Sequence, residues 1–426
     1  MEELIRKWQS FSFIILVLCC CFVTSCGNED FVIEYDDDEI EEIERELPLV
    51  NITSKTYDAE TKTTVYNMEY SSTDPFGNPV MLSGCVIFGD EVMEGKHAKG
   101  MVLYNHFTIY HKNECPSRGG IFFPQKVVGS GLVAVAADYY GFGSTENKNQ
   151  AYCMSRCNAQ ASIDALLAAR ELLKREGYSW GSFLFNTGYS EGAQTSIGVL
   201  RLCAEKYPDI RFTHTIVGGG PYDMGMTFRE LLKSGSTIMP SSVINTLLAY
   251  NEFCCLGIER SEMLKEPTLS KIDKYLLSKN YSTSYLEKNI ATQNIADWMT
   301  ADLLDINSEM SSKLMSAFEK DNLTSGWTPR RKERITLIHN ILDDVVPVGN
   351  TTALEEFFAE QGLAVSSNSD NKYNLGNVYV LKESWTPLVA KMDYHDYGAV
   401  TYVMELFTTI SKHMNIPLWI SVSDLI

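Results

Sequence analysis

Short runs that are apolar almost throughout, too brief for helices and without a polar alternate face, constrain this chain most. "KGMVLYN" (99–105) and "GLVAVAAD" (131–138) are bounded by turn residues, the pattern of strands buried on both faces of a parallel sheet. Segments of helical period alternate with them. "QASIDALLAARELLKREG" (160–177) places Ile163, Leu166, Leu167 and Leu173 on one face and ends at Gly177, and "AQTSIGVLRLCAEKYP" (193–208) closes at Pro208. Further strands are predicted at 182–188, 212–220, 334–340 and 377–383, with a helix over 351–362. Upstream, residues 64–88 read as an antiparallel pair around the turn Asp74-Pro75-Phe76-Gly77-Asn78. Strand–helix alternation on this scale predicts an α/β fold, a mostly parallel central sheet with helices on both faces.

One segment breaks the rhythm. Residues 225–332 hold helical pieces such as "SSVINTLLAYNEFCC" and "NIATQNIADWMTADLLDI" and no strand-like run. An insertion of that size between two sheet strands is expected to be a helical cap or lid rather than a structureless loop. The expected core is thus 49–224 and 333–426. "GSGLVA" (129–134) matches a dinucleotide-binding pattern only formally, because it precedes its strand instead of following it.

The N-terminus reads as targeting rather than fold. Arg6 and Lys7 precede an apolar run from about Phe13 to Val23, of signal-peptide length and short for a membrane span. It ends in Val23-Thr24-Ser25-Cys26, which resembles a bacterial lipobox and predicts a signal over 1–25 and acylation of Cys26. Glu29 and Asp30 resemble the export tag of surface lipoproteins of Bacteroidota. Between Glu29 and Glu46 stand eleven acidic residues against Arg45, a solvated tether (26–48) that would hold a domain off the membrane. The expected location is the cell envelope, at the outer membrane or cell surface. The net charge of −19 argues against nucleic-acid binding. Seven cysteines remain in the mature chain, an odd number. Cys153 and Cys157 would share a helix face but stand too far apart for a relaxed disulfide, and buried small hydrophobes are the simplest expectation. No spacing supplies a metal site, and the sequence carries no signal for an oligomeric state.

The chemistry centres on Gly188-Tyr189-Ser190-Glu191-Gly192. Alone, a G-x-S-x-G is weak: a chain of this composition carries one by accident roughly one time in six. Here a strand precedes it and a helix follows, the setting that lifts a serine to the carboxyl edge of a sheet. A serine hydroxyl needs a base and a group that orients the base. Of the seven histidines, His97, His111, His214, His339 and His413 stand in strands, polar loops or chain ends. His395 follows the last predicted strand and precedes the last helix, where a loop can bring it over Ser190. Asp343, just past the strand 334–340, is the favoured acid, with Asp344 and Asp223 as alternatives. The oxyanion would be held by backbone N–H groups of Glu191, whose side chain is free to face solvent, and of Phe107 or Thr108 in the loop after 99–105. Asp138 would fix a turn, with Tyr139 and Tyr140 as pocket walls.

With "GYSEGA", "ADYYGFGST", "DDVVP" and "YHDYGA" in this order, the chain from about residue 50 resembles an α/β-hydrolase of the secreted lipase/esterase type. It is similar to secreted esterases of the Xanthomonas LipA type and to fungal lipase A relatives. The resemblance implies serine carboxylic-ester hydrolysis under a lid, without metal or organic cofactor, and a substrate pocket near His106, Tyr139 and Tyr189. Many relatives carry His-Gly in the oxyanion loop, whereas Phe107 occupies the glycine position here. The expected function is a lipid-anchored carboxylesterase acting on small or medium acyl esters, free or glycan-linked. The competing readings are a catalytically silent binding lipoprotein that captures glycan or lipid, and a serine peptidase or amidase.

Overall fold

The computed structural model describes residues 48–330, 333–362, 378–381 and 394–418. The signal, Cys26 and nearly all of the acidic tether lie outside the described residues. Among the described residues, nine strands form one sheet: β1 (Val50–Asp58), β2 (Thr63–Thr73), β3 (Pro79–Gly89), β4 (His97–Asn105), β5 (Leu132–Ala137), β6 (Ser179–Tyr189), β7 (His214–Gly218), β8 (Ile335–Asn340) and β9 (Val378–Leu381), in the order β1-β2-β3-β5-β4-β6-β7-β8-β9. The pairings β1–β2, β2–β3 and β3–β5 are antiparallel, and every other one is parallel. All six residues of β5 are buried. Val133, Val135 and Ala137 enter one core, and Leu132, Ala134 and Ala136 enter the other, so the unbroken apolar run is what a strand between two helical layers requires.

The first core packs under α1 (Ser155–Arg175) and α2 (Glu191–Lys206). Between β7 and β8 come α3 (Met224–Ser234), α4 (Pro240–Phe253), several shorter helical turns and α5 (Glu309–Lys320), with two isolated bridges and no strand among the described residues. After β8, α6 (Gly349–Glu360) adds Leu354, Phe357 and Phe358 to the first core. The last helix, α7 (Tyr394–Met414), fills the opposite face with Tyr402, Val403, Leu406, Phe407 and Ile410. The helical segment is fastened to the loops at the carboxyl edge of the sheet. The Tyr110 and Ser242 hydroxyls lie 2.8 Å apart, and the Lys112 N–H donates to the Lys279 carbonyl at 2.9 Å. The buried Lys279 ammonium donates to the carbonyls of Gly141, Glu146 and Lys148, and burial depresses it to about 8.

Two elements depart from the sequence expectation. β1 is an edge strand whose middle is exposed; it holds on to β2 through its backbone and needs no apolar alternation. α1 begins at Ser155, five residues before the apolar period suggests, and Cys153 stands ahead of it with φ 52 rather than on the helix. All seven cysteines of the described residues are free; Cys85, Cys115, Cys153 and Cys203 are buried, and Cys255 is exposed.

The early start of α1 has a cause far away in sequence. Asp321, at the end of α5, accepts from the N–H groups of Ser155 (2.6 Å) and Arg156 (3.2 Å) and from the hydroxyls of Ser155 (2.7 Å) and Tyr250 (2.9 Å). It caps from the helical segment a helix whose own cap position, Met154, supplies no side-chain bond. Replacing Asp321 with Ala leaves buried donors unpaired, and D321A is expected to lose about 3 kcal/mol of unfolding free energy. Denaturant titration checks this, and a loss below about 0.5 kcal/mol would show the cap to be dispensable.

Candidate active site

β6 ends at Tyr189 and α2 starts at Glu191, so Ser190 alone makes the turn. Its φ of 56° and ψ of −120° are strained for a residue with a side chain. Backbone bonds impose them. The Ser190 N–H donates to the Gly218 carbonyl of β7 at 2.8 Å, and the Ser190 carbonyl accepts from the N–H groups of Ala193 (3.0 Å) and Gln194 (3.2 Å). The flanking glycines are required by close approach: a Cβ at Gly188 would strike the Gly192 carbonyl, and one at Gly192 would strike the carbonyls of Asn105 and His106.

His395 sits in the first turn of α7 rather than in the loop before it, and it is buried. Its Nε2 lies 2.9 Å from Ser190 Oγ and its Nδ1 2.7 Å from Asp343 Oδ2. An ionised carboxylate only accepts, so Nδ1 carries the proton, and Nε2 is left to accept from the serine hydroxyl; the partners assign this tautomer. The Asp343 Oδ1 accepts from the N–H groups of Val345 (2.9 Å) and Val346 (2.7 Å). Burial opposes ionisation of Asp343, but the imidazoles of His395 and His339 outweigh it and hold the carboxyl well below the usual carboxylate range.

The three acid candidates separate. Asp344 is exposed and its Oδ1 accepts the backbone N–H of His395 at 3.3 Å, so it meets the histidine's backbone. Asp223 caps α3 by accepting from the Met226 N–H at 2.8 Å. Asp343 meets the imidazole of His395 with its side chain.

The residues expected near the pocket are buried and make supporting contacts. The Tyr189 hydroxyl donates to the His395 carbonyl at 2.6 Å and its ring lies beside the imidazole at 5.1 Å, so it holds the turn that carries His395. His106 is buried and stacked on the equally buried Tyr139 at 4.0 Å. Burial lowers its pKa despite carbonyls near both ring nitrogens. Phe107 is 41% exposed, and Thr108 pairs its hydroxyl with that of Tyr152 at 2.8 Å. Asp138 fixes a turn by accepting from Ser83 and Ser117.

Glu191 overturns one expectation. Its side chain does not face solvent; it is buried, with Oε1 accepting from the Cys153 N–H and the Asn158 amide, both at 3.3 Å. Oε2 has no hydrogen-bond partner among the described residues. Burial pushes the carboxyl up to about 8, so it is protonated at neutral pH. His339 was also missed: fully buried at the end of β8, it places Nε2 3.3 Å from Asp343 Oδ2. The signal in sequence was a histidine four residues before an acid at a strand terminus.

Comparison with known proteins places the chain. The model of a family described as secretory lipase matches residues 121–382, a stretch that holds Ser190 and Asp343 and stops before His395. No curated protein matches the sequence. Among solved structures, the rice cell wall degrading esterase LipA from Xanthomonas oryzae is similar at a TM-score of 0.71 and 17% identity, over 86% of this chain and 99% of its own. A putative hydrolase from Legionella pneumophila reaches 0.65 at 19% identity, over 84% and 91%. Candida antarctica lipase A in its closed state reaches 0.57 at 13%, over 77% and 75%.

The burial of Glu191 makes a stability prediction. Its folded pKa lies above the ordinary glutamate value of about 4.5, so its contribution is full below about 4.5 and is lost as pH rises to about 8. The neutral isostere E191Q lacks this term. Against wild type it is expected to gain stability progressively across that window, up to about 5 kcal/mol above it. Denaturation of both proteins from pH 5 to 9 checks this; parallel curves would mean that the carboxyl ionises freely in the fold.

Proposed function

The chain belongs to the secretory lipase family and is an exported ester hydrolase of the α/β-hydrolase fold, and from that premise we propose that it is a serine carboxylesterase with Ser190 as nucleophile, His395 as base and Asp343 as the orienting acid. The observation that carries this reading is the single imidazole that bridges a strained, partly accessible serine and a buried carboxylate at 2.9 and 2.7 Å.

In the proposed mechanism His395 takes the Ser190 proton as Oγ attacks the ester carbonyl, and Asp343 stabilises the imidazolium without itself being protonated. The Glu191 N–H, first in α2 and without an intrahelical acceptor, would meet the oxyanion together with an N–H from Phe107 or Thr108. The loop carrying those two lies against the turn, since the His106 carbonyl is what a Cβ at Gly192 would strike. A protonated Glu191 supports this, because an anion beside the developing oxyanion would oppose it. His395 then protonates the leaving alcohol, and water, activated by the same imidazole, frees the acyl group. Residues 225–332 would act as the lid over the acyl site, a reading supported by the Tyr110–Ser242 contact. Acylation at Cys26 would anchor the enzyme in the envelope, and the acidic tether would space it from the membrane. The proposed substrates are small or medium acyl esters, including those on cell-wall glycans; the Xanthomonas neighbour degrades rice cell wall.

A fluorophosphonate probe is expected to label wild type at one site and to leave folded S190A unlabelled, with ester hydrolysis falling roughly ten-thousandfold. Equal labelling of S190A would remove Ser190 from the mechanism. Across aryl esters from acetyl to palmitoyl, turnover should peak at short or medium chains, and release of acyl groups from acylated xylan or pectin is expected. A maximum at palmitoyl would make the substrate a long-chain lipid instead.

A further inference from the structure

We propose that His339 is a positioning residue for the acid, so that the catalytic chain runs through four side chains rather than three. This rests on the serine-hydrolase reading above and extends it behind Asp343.

The argument starts from which oxygens the ring meets. His339 Nε2 faces the Val346 carbonyl at 2.9 Å and Asp343 Oδ2 at 3.3 Å. Both are acceptors, so Nε2 carries a hydrogen. Nδ1 lies 2.7 Å from the Thr351 hydroxyl of α6, which can donate to it and fix this tautomer. Both His339 and the Asp343 side chain are fully buried, where a dipole this close to a carboxylate is weakly screened. The Asp343 Oδ2 therefore lies against two imidazoles, His395 at 2.7 Å in front and His339 at 3.3 Å behind, while Oδ1 is filled by two backbone N–H groups. Asp344 and His395 are the other titratable groups at this acid, Asp344 from the same turn and His395 from α7.

Two consequences follow. The Val346 bond ties β8 to the turn that presents Asp343, so the carboxylate cannot retreat from His395. The Nε2–H also draws charge away from the oxygen that His395 uses. Without it, Oδ2 becomes a stronger acceptor on a looser tether: the imidazolium of His395 is favoured, and its alignment with Ser190 is worse. The polar contacts of His339 go to Thr351, Val346 and Asp343 and not to Ser190, so ground-state binding of substrate is expected to change little.

Three variants test this. In H339L, kcat for an aryl acetate is expected to fall roughly tenfold with KM within about twofold. The acidic limb of its kcat/KM profile should move up by about half a pH unit. H339Q offers an amide N–H near the place of Nε2 and is expected to restore the limb and most of kcat. T351V removes the hydroxyl that fixes the tautomer and should shift the limb in the same direction by less; it serves, with H339Q, if H339L does not fold. A folded H339L whose pH profile superimposes on wild type overturns the assignment. So does a loss of kcat in all three variants with no movement of the limb, which would make the role purely structural. A wild-type chain that no fluorophosphonate labels fails the serine-hydrolase reading itself, and this inference falls with it.

Discussion

The site depends on one strained turn. Ser190 keeps a positive φ because its N–H is bonded to β7, its carbonyl starts α2, and the end of β4 presses against the two glycines beside it. Two of these restraints are not local. The bond to Gly218 requires β6 and β7 in parallel register, and the pressure from Asn105 and His106 requires β4 alongside β6. Strain of this kind persists only where the surroundings over-determine it. The sheet order is therefore a condition of the serine's exposure, since the same pentapeptide in a free loop would relax.

The order serine, acid, histidine was legible in sequence because each residue follows a strand whose apolar run is hard to mistake. What stayed hidden was every feature set by packing between distant segments. Glu191 read as a surface carboxylate because glutamate usually is one; its burial depends on α1 coming within reach through Asn158 and on the backbone at Cys153. Tyr189 sits inside the motif, yet its role lies with a carbonyl 206 residues away. His339 looked like a strand end because the geometry that brings it to Asp343 is a tight turn, which apolar period does not report. β1 escaped for the opposite reason: an edge strand held by backbone bonds leaves almost no apolar signature.

The helical segment adds a second kind of dependence. It caps α1 through Asp321 and reaches the loop after β4 through Ser242 and Lys279, while Lys279 collects three carbonyls from the loop after β5. It is part of the frame that shapes the loops at the mouth of the site. Changes made in it to alter substrate preference would therefore also be felt in the loop proposed to donate to the oxyanion.

The two halves of the proposed catalytic pair belong to different cores. Ser190 begins a helix that packs on one face of the sheet, and His395 begins a helix that packs on the other. The 2.9 Å contact between them is thus a bridge over the sheet's edge, and its length measures how well the two layers are seated. On the proposed mechanism, a protein in which α7 had merely lifted off would keep its elbow, most of its secondary structure and its first core intact, and would still be inert. Activity would then be a more sensitive gauge of the second core than the content of helix or strand.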